Sequence, residues 1–112
     1  MIPEKIQEII TRYRQSAIAM GAKNIATANA ASQALRECFQ VLRQTEEGMA
    51  AIASLMYDED QAVRLSAAAD CLRWTPDVAR PVLEELRDSD GPWSHAAKWV
   101  LIEFAKGRLP PE

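Results

Sequence analysis

Residues 50–72, AAIASLMYDEDQAVRLSAAADCL, decide the fold. An alanine-rich apolar run leads into the acidic turn Asp58-Glu59-Asp60, and a second alanine-rich run follows. Alanine is the strongest helix former, and an aspartate such as Asp60 suits the N-cap, so the stretch reads as two helices joined by a tight turn. In the second helix Val63, Ala67, Cys71 and Trp74 fall on one face, while Leu65, Ala69 and Leu72 fall near the opposite one. A helix apolar on two sides is expected between two layers of structure, not on a surface.

Working outward, period and punctuation predict six helices. The first covers residues 3–20, with Pro3 near its start and Ile6, Ile9, Ile10, Tyr13, Ala17 and Met20 on one side. Gly21 and Ala-Lys-Asn end it. The second covers 26–43, with Ala28, Ala31, Leu35, Cys38, Phe39 and Leu42 as its apolar stripe. Thr45 is placed to cap the third, whose stripe is Met49, Ile52, Ala53 and Met56. The fourth covers 61–73. Thr75-Pro76 provides a cap and an early proline for the fifth, to residue 87, which Pro81 should kink. Ser89-Asp90-Gly91-Pro92 breaks the chain before the sixth, 93–106, which Gly107 ends. Connections this short set neighbouring helices antiparallel within a single domain spanning 1–112.

The second half repeats at an offset of thirty positions. Asp58 and Asp60 match Asp88 and Asp90, and Val63, Ala67 and Cys71 match Trp93, Ala97 and Leu101. A helix pair of this size cannot bury its apolar face alone and must stack on a neighbour. Asp58, Val63 and Arg64 resemble the Asp…Val-Arg signature of HEAT repeats. That resemblance implies a short right-handed α-α superhelix of the HEAT/armadillo type, in which the arginine ties back to the acidic turn and to the adjacent repeat. Asp58, Asp60, Val63, Ala67, Ala97 and Phe104 are then structural. The following copy departs from the pattern, with Trp93-Ser94 in place of Val-Arg, as expected of a terminal repeat. More narrowly, Asn24, Leu42-Arg43, Asp60 to Arg64, Pro81-Val82-Leu83, Ala97 and Glu103 to Gly107 resemble a family of small bacterial proteins, domain of unknown function two thousand and nineteen. Its members usually carry Trp where this chain has Phe104. The resemblance implies a bacterial source and brings no activity with it.

Composition excludes several classes of function. A net charge of −3 with no basic run speaks against nucleic acid, whose binding needs a concentrated basic face. No apolar stretch reaches the roughly 20 residues of a membrane span, and the N-terminus lacks the core of a signal peptide. A cytoplasmic protein is expected, in which Cys38 and Cys71 are reduced and buried.

No catalytic, cofactor or metal constellation is legible. Cys38, Cys71 and His95 have no ligand-spaced neighbours. Read as a calcium loop, a segment starting at Asp58 would place Val63 and Ala69 where glycine and glutamate are needed. The carboxylate pairs Glu46-Glu47 and Glu84-Glu85 diverge by about 100° around their helices. Asp70 is the one carboxylate expected near an apolar face. Arg64 has two readings: a partner for Asp58, Asp60 or Asp70, or a side chain presented to a binding partner.

The sixth helix carries the functional signal. Trp93, Ala97, Val100 and Phe104 form its inner stripe, leaving His95, Lys98, Trp99, Ile102 and Lys106 on the far side. With no later repeat to cover them, an indole and an isoleucine beside two lysines make a binding patch. Alternatively, Trp99 tucks against the fifth helix or the tail Leu109-Pro110-Pro111, or forms the seam of a homodimer. The leading expectation is a non-enzymatic protein-interaction module, an adaptor or an inhibitor of the immunity type, with an unidentified protein partner. The alternatives are a nucleic-acid-binding HEAT-like protein and a small accessory subunit of an enzyme.

Overall fold

The computed structural model describes residues 4–107, and these form six α-helices without strands: α1 (Glu4–Ala19), α2 (Ile25–Leu42), α3 (Glu46–Leu55), α4 (Gln61–Cys71), α5 (Pro76–Asp88) and α6 (Ser94–Ala105). The all-α class follows from the sequence as expected. Pro3 and the tail Leu109-Pro110-Pro111 lie outside the described residues. By its contacts the chain divides into two compact units, Met1–Leu55 and Met56–Glu112.

In the first unit α1 packs along α2, and α3 packs on both. Tyr13 and Ala17 of α1 and Cys38, Phe39 and Leu42 of α2 are buried, with Ile52 and Ala51 from α3. Apart from Ala51 these belong to the predicted stripes, of which Ile9, Ile10, Leu35 and Met49 are half-buried. Asn24, read from sequence as part of a helix end, instead caps α2: its Oδ1 accepts the Thr27 N–H at 3.0 Å. Thr45 caps α3 through Oγ1, which accepts the Gly48 N–H at 3.0 Å. The Arg43 guanidinium lies over the Phe39 ring, 5.5 Å from its centre.

In the second unit α5 packs against both α4 and α6. Asp60 caps α4, its Oδ1 accepting the N–H groups of Ala62 (2.9 Å) and Val63 (3.3 Å). Asp58 in turn accepts the Asp60 N–H at 2.9 Å. Burial on α4 covers both predicted faces, with Val63, Ala67 and Cys71 fully enclosed and Leu65 and Leu72 nearly so. Thr75 stands at the N-cap position of α5, but its side chain makes no capping bond; its backbone carbonyl accepts from Val78 and Ala79 instead. α5 continues through Pro81, which is exposed. Ser94 Oγ donates to the Arg87 carbonyl at 2.5 Å, tying the start of α6 to the end of α5. Gly107, at φ +70°, ends α6 in the left-handed region where glycine is favoured.

Arg64 does not pair with Asp58, Asp60 or Asp70. Its Nη1 lies 3.9 Å from Glu85 Oε1 on α5, while Asp70 faces Arg73 at 3.4 Å. The acidic residues near Arg64 in sequence are already engaged: Asp58 and Asp60 accept backbone N–H groups of the turn.

Candidate functional site

The site is built on α6, whose two sides do different work. Its inner side lies against α5: Ala97 is fully buried, Val100, Leu101 and Phe104 are half-buried, and the Arg80 guanidinium stands over the Phe104 ring at 5.6 Å from its centre. Ala97 permits close approach of the two helices because a larger side chain there would meet packed neighbours.

The outer side is exposed. His95, Lys98, Trp99, Ile102, Ala105 and Lys106 all face solvent, and Trp99 keeps 61% of its surface accessible, Ile102 36%. Four of these, His95, Lys98, Trp99 and Ile102, surround a shallow depression of about 100 Å³. That is well short of the roughly 300–1,000 Å³ of a small-molecule site.

Of the residues expected from the sequence to bind a partner, His95, Lys98, Trp99 and Ile102 line this depression, and Lys106 lies one turn beyond them. Arg64 is not among the lining residues. It is half-buried beside Glu85, and its Nε is enclosed without a hydrogen-bond partner.

The chain matches no known protein family, no curated protein and no solved structure.

Burial pushes the Cys71 thiol up from the ordinary 9.0 to about 12, with the neighbouring Asp70 adding to the effect. The Cys38 thiol is also raised, chiefly by burial, with Arg12 working against the shift and Glu37 with it. Both are free, buried and protonated at neutral pH, the opposite of an activated nucleophile. Glu46 and Glu47 are exposed, as is Glu85. Among the described residues no group of three or more His, Cys, Asp or Glu side chains converges as metal ligands would.

Among the exposed apolar side chains that escaped the sequence reading, Ile25 (76% accessible) and Tyr57 (70%) are the most open. Ile25 follows the Asn24 cap, and Tyr57 sits in the turn before Asp58. The helical period that revealed α6 gives no orientation at such helix-end and turn positions.

Proposed function

We propose that this chain is a non-enzymatic protein-interaction module whose docking surface is the outer side of α6. The observation that carries this reading is a largely exposed tryptophan beside an exposed isoleucine, flanked by Lys98 and His95 on the same helix face. Tryptophan has the highest yield of binding energy at protein interfaces, and an apolar centre with a polar rim is the usual anatomy of such a surface. The size of the depression favours a side chain of another protein over a free ligand.

HEAT-like stacking of helix pairs suits this role, because α-solenoids present helix faces to partners. The thirty-residue repeat and the Asp58, Val63 and Arg64 pattern support it, together with the resemblance to small bacterial proteins. Two free, buried thiols fit a reducing cytoplasm. No described helix is long and apolar enough to cross a membrane. An adaptor and an inhibitor of the immunity type are two forms of the same function, distinguished by whether the bound partner loses activity.

The test is capture of partners from the native cells by the tagged chain and by its Trp99→Ala variant. A stoichiometric protein retained by the wild type and lost from the variant is the expected result. The variant should stay folded, its stability within about 0.5 kcal/mol of wild type, because Trp99 is largely solvent-exposed. Capture of the same proteins by both would sink the assignment to α6.

A further inference from the structure

Resting on the reading of α6 as the docking face, we propose that its occupant is an acidic amphipathic helix of a partner protein, which seats one aliphatic side chain among His95, Lys98, Trp99 and Ile102.

The spacing comes first. The four lining residues stand at positions i, i+3, i+4 and i+7 of one helix. Four side chains so spaced form the diamond-shaped hole into which a facing helix inserts a single knob. Trp99, Ile102, Glu103 and Lys106 mark a second diamond one step further along. A helix laid along α6 would therefore meet repeated holes, whereas an extended strand, with its period of two, would not stay in register with them.

Size limits the knob. An apolar cavity of about 150 Å³ takes up benzene. The depression here is about 100 Å³ and open to solvent, which suits a branched aliphatic side chain better than an aromatic ring.

Charge then selects the partner. Lys98, Ile102, His95, Lys106 and Trp99 lie within roughly 100° of the helix circumference. No carboxylate falls in that sector; Glu103, the only acidic residue of α6, lies at its edge and is half-buried. This cationic strip belongs to a chain with a net charge of −3. Lys98 and Lys106 are eight residues apart, about 12 Å along the axis. Carboxylates seven or eight residues apart on the facing helix, on either side of the knob, would meet both.

The same charges disfavour the other occupants. A second copy docking α6 on α6 about a two-fold axis would set this cationic strip against its own copy. An anionic membrane is usually engaged by clusters of roughly 4–8 basic residues, and this face offers two lysines and one histidine.

The experiment is a displayed library of amphipathic helices, with the knob position varied among aliphatic and aromatic residues and the flanking positions among Glu, Gln and Lys. The full chain selects binders, and those that also bind Trp99→Ala are removed. The expected winners carry an aliphatic knob flanked by glutamates. A synthetic winner should lose at least about tenfold in affinity for Lys98→Glu and regain it when its facing glutamate is changed to lysine. Circular dichroism and melting of the variants establish that they are folded. Winners that depend on Trp99 but are neutral or basic would overturn the acidic-helix proposal and leave the docking face standing. No Trp99-dependent winner would remove both. Trp99-dependent binding to vesicles of equal parts phosphatidylserine and phosphatidylcholine would overturn the proposal in favour of a membrane. A dimer in sedimentation that Trp99→Ala breaks would overturn it in favour of a second copy.

Discussion

At Gly48 the first turn of α3 approaches the end of α2 so closely that an added Cβ would stand 2.0 Å from the Leu42 carbonyl oxygen and 2.8 Å from its Cα. Replacing a helical glycine by alanine ordinarily gains up to about 1 kcal/mol from helix propensity. Here the obstacle is backbone, which has no rotamer to yield, and Gly48→Ala is expected to lose about 1–3 kcal/mol instead. Urea denaturation gives the sign directly, and a gain would mean that the two helix ends separate easily. Cys71 offers a pH test. Its thiol pKa is raised from 9.0 to about 12 by burial, so as pH rises the unfolded chain releases this proton before the folded one does. Its contribution to stability is therefore full below pH 9 and is lost between pH 9 and about 12. Cys71→Ala should make the alkaline fall in urea midpoint shallower over that window, and an unchanged slope would show that the thiol ionises freely in the folded state. The burial of Cys71 was legible in the sequence because it shares a helix face with Val63 and Ala67. The Gly48 contact was not, since backbone meeting backbone across a turn leaves no mark in side-chain pattern. Nor was Glu85 as the partner of Arg64, because local sequence offered Asp58 and Asp60, which the turn's own N–H groups had already engaged.

The helices themselves were legible where period and punctuation agreed. Asp60 before α4 and Gly107 after α6 act as the cap and stop their residue types suggest. The outward side of α6 could be named because its polar and aromatic residues recur at helical spacing; the exposure of Trp99 could not, since it depends on how α6 is rotated against α5. Thr75 shows the limit of residue type. It occupies an N-cap position, yet with φ −145° and ψ 63° its hydroxyl makes no capping bond. Within α5, Pro81 is the sixth residue of a helix that continues past it, and its ring is exposed. Proline there removes the N–H that would bond to the Asp77 carbonyl and crowds the preceding turn, a defect of up to about 3 kcal/mol. Part of that is offset because proline also restricts the unfolded chain. Pro81→Ala is accordingly expected to raise stability by on the order of 1 kcal/mol, read from the urea midpoint. A loss would show that the proline's distortion is what brings α5 into register with its neighbours.

At the scale of the molecule, the all-α class follows from alanine content and helical period, whereas the division into units Met1–Leu55 and Met56–Glu112 is set by contacts between helices that no local pattern encodes. The junction falls between α3 and α4, where residues 56–60 connect them and Tyr57 is 70% exposed. A protease needs an extended segment in its cleft, and regular helix must open before it can be cut. Chymotrypsin accepts aromatic residues, and the described chain offers it candidates in different states. Tyr13 and Phe39 are buried within helices, and Trp99 is exposed but lies in the middle of α6. Trp74 and Trp93 lie outside the helices but are half-buried. Tyr57 alone among these is both exposed and outside a helix. Under limiting chymotrypsin the first cut is expected after Tyr57, giving fragments 1–57 and 58–112 by mass spectrometry. A first cut after Trp74 or Trp93 would place the most easily opened segment inside the second unit, just before α5 or α6. A first cut after Trp99 would show that α6 itself opens in the free protein, and a docking surface built on it would then have to be ordered by its partner.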